Sequence, residues 1–110
     1  MPPVALDRLQ GTLDMLVLRT LQREPMHGWG IAQRIQLISR DVLQVNQGSL
    51  YPALHRLEER GWVVADWGTS ENNRRAKFYR LTAKGQRQLE KEKSSWADFA
   101  GAVAAILHTA

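Results

Sequence analysis

The stretch NQGSLYPALHRLEERGW, residues 46–62, sets a narrow condition on the fold, because it carries a proline inside an amphipathic helical pattern. Proline within a helix removes a backbone donor and crowds the carbonyl four residues earlier, which costs about 3 kcal/mol or more. On a helical wheel Leu50, Ala53, Leu54 and Leu57 gather on one side. Gly48, Pro52, His55, Arg56 and Glu59 occupy the other, with Ser49 and Tyr51 at the flanks. Gly61 is a fitting stop. Pro52 is tolerable only near the helix start, so a start at Ser49 is expected rather than at Asn46, or else an irregular first turn.

Two shorter helices are expected before this one. Leu9, Leu13, Leu16, Val17 and Leu21 follow helical spacing, and Pro25 and Gly28 end that run. A second helix is expected from about Gly28 to Ser39, with Ile31, Ala32, Ile35 and Ile38 facing inward. Downstream the period changes. WVVADW (62–67) and AKFYRL (76–81) read as strands, and the eight residues of GTSENNRR between them carry turn chemistry, giving a hairpin with a long loop. Thr82 then caps a final helix reaching about His108.

That last helix is longer than a three-helix core requires. Leu89, Trp96 and Val103 recur every seven residues, and Phe99 and Ile106 stand three after the last two, as in a heptad seam. Glu92 interrupts the pattern at the first such position. The seam is expected to meet a second copy of the chain, aided by Leu9 and Leu13. The other reading packs it back on its own domain.

Helix, helix, helix, hairpin and long helix make up a mainly α chain with a β-hairpin wing: a winged helix-turn-helix over residues 1–81 and a dimerisation helix over 82–110. In this plan the third helix enters the DNA major groove by its N-terminal end. That explains Pro52 at the start of a helix whose first turn is meant to touch something else. Gln47 stands with these DNA-binding residues, Gly48 allows close approach, Ser49 and Tyr51 offer hydroxyls to phosphates, and His55 and Arg56 stand where base edges can be reached. Tyr51 has a second reading, as a core aromatic whose hydroxyl merely reaches the surface.

Charge agrees. The formal net charge of +4 is concentrated, with six basic residues and no acidic one from Arg74 to Arg87, against seven basic and six acidic residues in the first 60. Asn73, Arg74, Arg75 and Lys77 are therefore expected to hold the DNA backbone or the adjacent minor groove. A winged-helix dimer that binds protein and not specific DNA is the competing reading, although a protein-binding face gains little from this cluster.

Other classes are disfavoured. With no cysteine there are no disulfides, thiolate metal sites or cysteine nucleophile. His27, His55 and His108 lie far apart, and neither a phosphate loop nor a nucleophile elbow is present, so no metal, cofactor or enzymatic activity is expected. The N-terminus does not read as a secretory signal, and the longest late uncharged run, Phe99 to Ala110, has 12 residues. A membrane helix needs about 20. A cytoplasmic protein is expected.

GSLYPALHRLEERGW, followed by NNRRAKFYRLTAKG and preceded by MHGWGIAQ, resembles the PadR family of bacterial transcriptional regulators over nearly the whole chain. QGTLDMLVLRTL and WGTSENNRRA are similar to a short-chain subgroup found in acidobacteria, whose genes often neighbour transporter permease genes. The resemblance implies a dimeric repressor of a palindromic operator. Ser49, Tyr51 and Pro52 match the family's recognition-helix motif, and Arg74, Arg75 and Lys77 its basic wing. Trp96 stands where some members stack flat aromatic ligands between subunits, so it is either a ligand platform or an interface anchor. Trp29 and Trp67 either lie near the long helix or simply pack, and Trp62 is expected in the core.

Overall fold

The computed structural model describes residues 4–5 and 10–109. In chain order these form β1 (Val4–Ala5), α1 (Gln10–Arg23), β2 (Met26–His27), α2 (Gly28–Ile38), β3 (Leu43–Gln44), α3 (Gln47–Glu59), β4 (Val63–Thr69), β5 (Arg75–Leu81) and α4 (Ala83–Leu107). This is the expected four helices and hairpin wing. Leu9 lies outside the described residues.

The core forms where the helical stripes and the hairpin meet. Leu18 of α1, Ile31 of α2, Leu50, Leu54 and Leu57 of α3, Val63 of β4 and Leu89 of α4 are all fully buried. Each such side chain withdrawn from water contributes about 1.5–3 kcal/mol. Leu13 and Leu89, expected at a dimer seam, belong to this core instead, at 1% and 0% exposure. The helices that carry them, α1 and α4, pack against each other within one chain. Ile38, expected to face inward, is exposed, because α2 ends there and Ser39 caps it.

Two strand pairings go beyond the expected hairpin. β2 joins the wing antiparallel to β5, with Met26 opposite Tyr79 and His27 opposite Phe78. β1 pairs in parallel with β3. The wing strands are also longer than expected, running from Val63↔Leu81 to Thr69↔Arg75. The connecting loop shortens accordingly to residues 70–74. Within it Asn73 takes φ 58°, a left-handed conformation that asparagine tolerates well. Its N–H donates to the Ser70 carbonyl at 2.9 Å.

Among the described residues, the buried part of the long helix lies in its first two turns, at Gly85 and Leu89. Thr82 Oγ1 donates to the Gly61 carbonyl at 2.7 Å and accepts from the Gly85 N–H at 3.0 Å. A side chain on Gly85 would meet the Trp62 carbonyl oxygen, so the absent Cβ is what lets α4 dock. Beyond Leu89 no described residue of α4 is buried.

Candidate nucleic-acid interface

The third helix begins at Asn46, not at Ser49. Asn46 is the N-cap, with its side-chain oxygen accepting from the Ser49 N–H at 2.9 Å. Pro52 is thus the sixth helical residue, deeper than expected. What it removes is the donor for the Gly48 carbonyl, and Gly48 is exposed, so that carbonyl can be solvated instead of orphaned. The irregularity sits on the open face, where it disturbs no packing.

Gln47, Gly48, Tyr51, Pro52 and His55 form an exposed surface at the N-terminal half of α3, with Ser49 half-buried beside them. Tyr51 is 46% exposed, which excludes the core-aromatic reading. Its ring lies over the start of α2: a Cβ on Gly28 would come within 2.9 Å of the Tyr51 hydroxyl. His55 Nε2 lies 2.9 Å from Glu59 Oε1 one turn on, both side chains largely exposed.

Arg56 does not belong to that surface. Its guanidinium binds Asp14 of α1 at 2.8 Å, with side-chain exposures of 25% and 10%. The reason is register: Arg56 is three residues after buried Ala53 and just before buried Leu57, so it projects along the edge of the packed face. The expected base contact is thereby corrected to a bridge between α3 and α1. Lys77 is similarly engaged, its ammonium 3.3 Å from Glu58 of α3, which ties the wing to the helix.

The remaining wing cations face solvent. Arg74 and Arg75 are exposed, and the Arg75 guanidinium stacks 4.6 Å above the Trp67 ring. A groove of about 630 Å³ separates the wing from the start of α2, with Tyr51, Arg74, Arg75, Trp29 and Trp67 among its walls. It brings α3 and the wing to a single face. Trp29 and Trp67 were expected near the long helix or in packing. Their position here has a readable cause for Trp67, which continues the alternation of Val63 and Ala65 past the end of the core. Trp62, half-buried against the core, sits under the Arg60 guanidinium at 5.1 Å.

At the far end of the molecule, Trp96 and Phe99 lie with ring centroids 5.8 Å apart, 45% and 59% exposed. Val103 and Ile106 continue the same exposed apolar stripe. A hollow of about 270 Å³ between α1 and α4 borders Met15, Glu92, Trp96 and Phe99. Among the described residues, no three His, Asp or Glu side chains gather as a metal site, and no helix is long and apolar enough to cross a membrane.

An exposed recognition-helix start beside a basic hairpin defines the reading face of a winged-helix DNA-binding protein. The model of the transcriptional regulator PadR-like family matches residues 17–91, and the chain belongs to that family. Among solved structures, a PadR family regulator from Eggerthella lenta is 31% identical, with 94% of this chain and 88% of that chain covered and a TM-score of 0.76. A PadR-like regulator from Bacillus cereus is 26% identical, covering 93% and 97%, with a TM-score of 0.79. A curated protein of Lysinibacillus sphaericus, uncharacterized protein X, is 28% identical over 84% of each chain. These likenesses reach the family and do not distinguish the acidobacterial subgroup. The protein is a DNA-binding transcriptional regulator and not an enzyme.

Proposed function

We propose that the protein is a homodimeric repressor that blocks a promoter by occupying a palindromic operator. The observation that carries this reading is the groove that sets Tyr51 of α3 and Arg74 and Arg75 of the wing on one open face. Gln47, Ser49, Tyr51 and His55 enter the major groove, while Asn73, Arg74 and Arg75 hold backbone or minor groove. Residues 1–81 supply this reading domain, and residues 82–110 pair two copies.

Pairing uses the stripe of Trp96, Phe99, Val103 and Ile106, which stands exposed among the described residues. Two copies so joined set their recognition helices about 34 Å apart, one turn of duplex. Trp96 and its symmetry mate also form the platform for a planar aromatic effector that favours one geometry of the dimer. Transporter genes are the proposed targets, by likeness to the short-chain subgroup.

The test is retention of DNA from upstream of the gene in a mobility-shift assay, with unrelated DNA as competitor. Retention that survives the competitor supports the repressor. Equal weak retention of both DNAs favours a winged-helix dimer whose partner is a protein.

A further inference from the structure

The groove beside the wing holds two large rings that the contacts above leave unused. Trp29 and Trp67 are 49% and 61% exposed. Apolar area left in water forgoes about 25 cal/mol per Å² of burial, so two indoles on one open groove mark a surface that gains from being covered. The groove also carries charge: the Arg75 guanidinium lies over the Trp67 ring, 4.6 Å from its centroid, and makes no ion pair among the described residues.

Duplex geometry says what crosses this space. Neighbouring major and minor grooves are divided by one sugar-phosphate strand. If the start of α3 lies in the major groove and the wing tip in the adjacent minor groove, a single strand must pass between them. The space between them is this groove, with Tyr51 on one side and Arg74 and Arg75 on the other.

We infer that the groove seats one sugar-phosphate strand, with Trp29 and Trp67 against deoxyribose and Arg74, Arg75 and the Tyr51 hydroxyl at the flanking phosphates. A strand combines apolar sugar faces with anions, and these walls combine exposed rings with cations. Lys77 is not among the phosphate ligands, because Glu58 holds it. The acid at the rim, Glu71, is turned toward His27, 3.7 Å from its Nε2. Since deoxyribose is common to all sequences, Trp29 and Trp67 set affinity and not specificity. This inference rests on the proposed DNA-binding face of α3 and the wing.

The experiment is fluorescence anisotropy at low salt with two labelled duplexes of equal length, the upstream fragment and a mixed sequence. Trp29→Ala and Trp67→Ala should each weaken binding to both duplexes alike, by about tenfold. Trp67→Phe should restore most of the loss. Because no counterion contact is removed, the salt slope should stay at the wild-type value. Circular dichroism confirms that the variants fold. Wild-type affinity in the Trp29→Ala/Trp67→Ala variant would overturn the inference while leaving the repressor reading intact. So would a loss confined to the upstream duplex, which would place the rings on bases. Failure of the wild-type protein to bind either duplex would instead remove the DNA-binding face itself, and the strand seat with it.

Discussion

Arg56 of α3 and Asp14 of α1 meet at 2.8 Å in a charge-assisted bond that locks the recognition helix to the scaffold behind it. Asp14 is a buried residue at 7% exposure, so the bond is poorly screened by solvent. Arg56→Ala leaves that carboxylate without its cation and is expected to cost about 2 kcal/mol, or roughly 10 °C in Tm. Thermal unfolding reads this directly. The paired variant Asp14→Leu/Arg56→Met should recover most of the loss. An Arg56→Ala protein of unchanged Tm would contradict the assignment.

Gly85 tests the docking of the long helix. An added Cβ there meets the Trp62 carbonyl oxygen and comes within 2.8 Å of Leu81 Cδ1. Backbone cannot yield as a flexible side chain does. Gly85→Ala is therefore expected to destabilise by about 2–3 kcal/mol in urea unfolding, although alanine is the better helix former. A stabilised variant would show that α4 is not held at this point.

The exposed stripe of α4 predicts a concentration-dependent assembly. Trp96→Ala with Phe99→Ala removes the two largest rings of the stripe, and about 3 kcal/mol or more of association should go with them. Sedimentation equilibrium should then show monomer at concentrations where the wild-type chain is dimeric. Because neither ring is buried in the monomer, the unfolding of the winged domain should change little. Dimer persisting at the same concentration would place the interface elsewhere.

Tyr79 of β5 carries a phenol whose pKa is raised by its surroundings. Burial raises its phenol above the ordinary 10.0, only partly offset by the cation of Lys77. In the unfolded chain the phenol ionises first, so the native state keeps its proton to higher pH. Its contribution to stability is complete below about pH 10 and is lost as pH climbs through the raised folded value. The chain has two tyrosines, so Tyr51→Phe isolates this one for absorbance titration. The midpoint should lie above 10.0 and fall back to it in urea.

Much of this architecture is legible in the sequence because periodicity and caps are local signals. Leu50, Ala53, Leu54 and Leu57 mark the buried face of α3, and Thr82 marks the start of α4, without reference to any distant residue. The failures share a cause in distance along the chain. Nothing near Arg56 shows that Asp14, 42 positions earlier, will claim it. Leu89 looks like a seam leucine because a heptad shows that a side chain will be buried, not in which core, and the apolar stripe of α1 is equally silent for Leu13. The groove escapes notice for the same reason, since its walls come from α2, α3 and both wing strands. Two-residue β2, which ties α2 to the wing, is too short for alternation to reveal.

The central claim is that α3 and the wing grip DNA through Arg74 and Arg75. It is tested most directly by the slope of log affinity against log salt for the wild-type protein and the Arg74→Ala/Arg75→Ala variant. Loss of two phosphate contacts should make that slope shallower by about two and weaken binding to all sequences alike. An unchanged slope, with affinity preserved, would contradict the account and assign the basic wing to another partner.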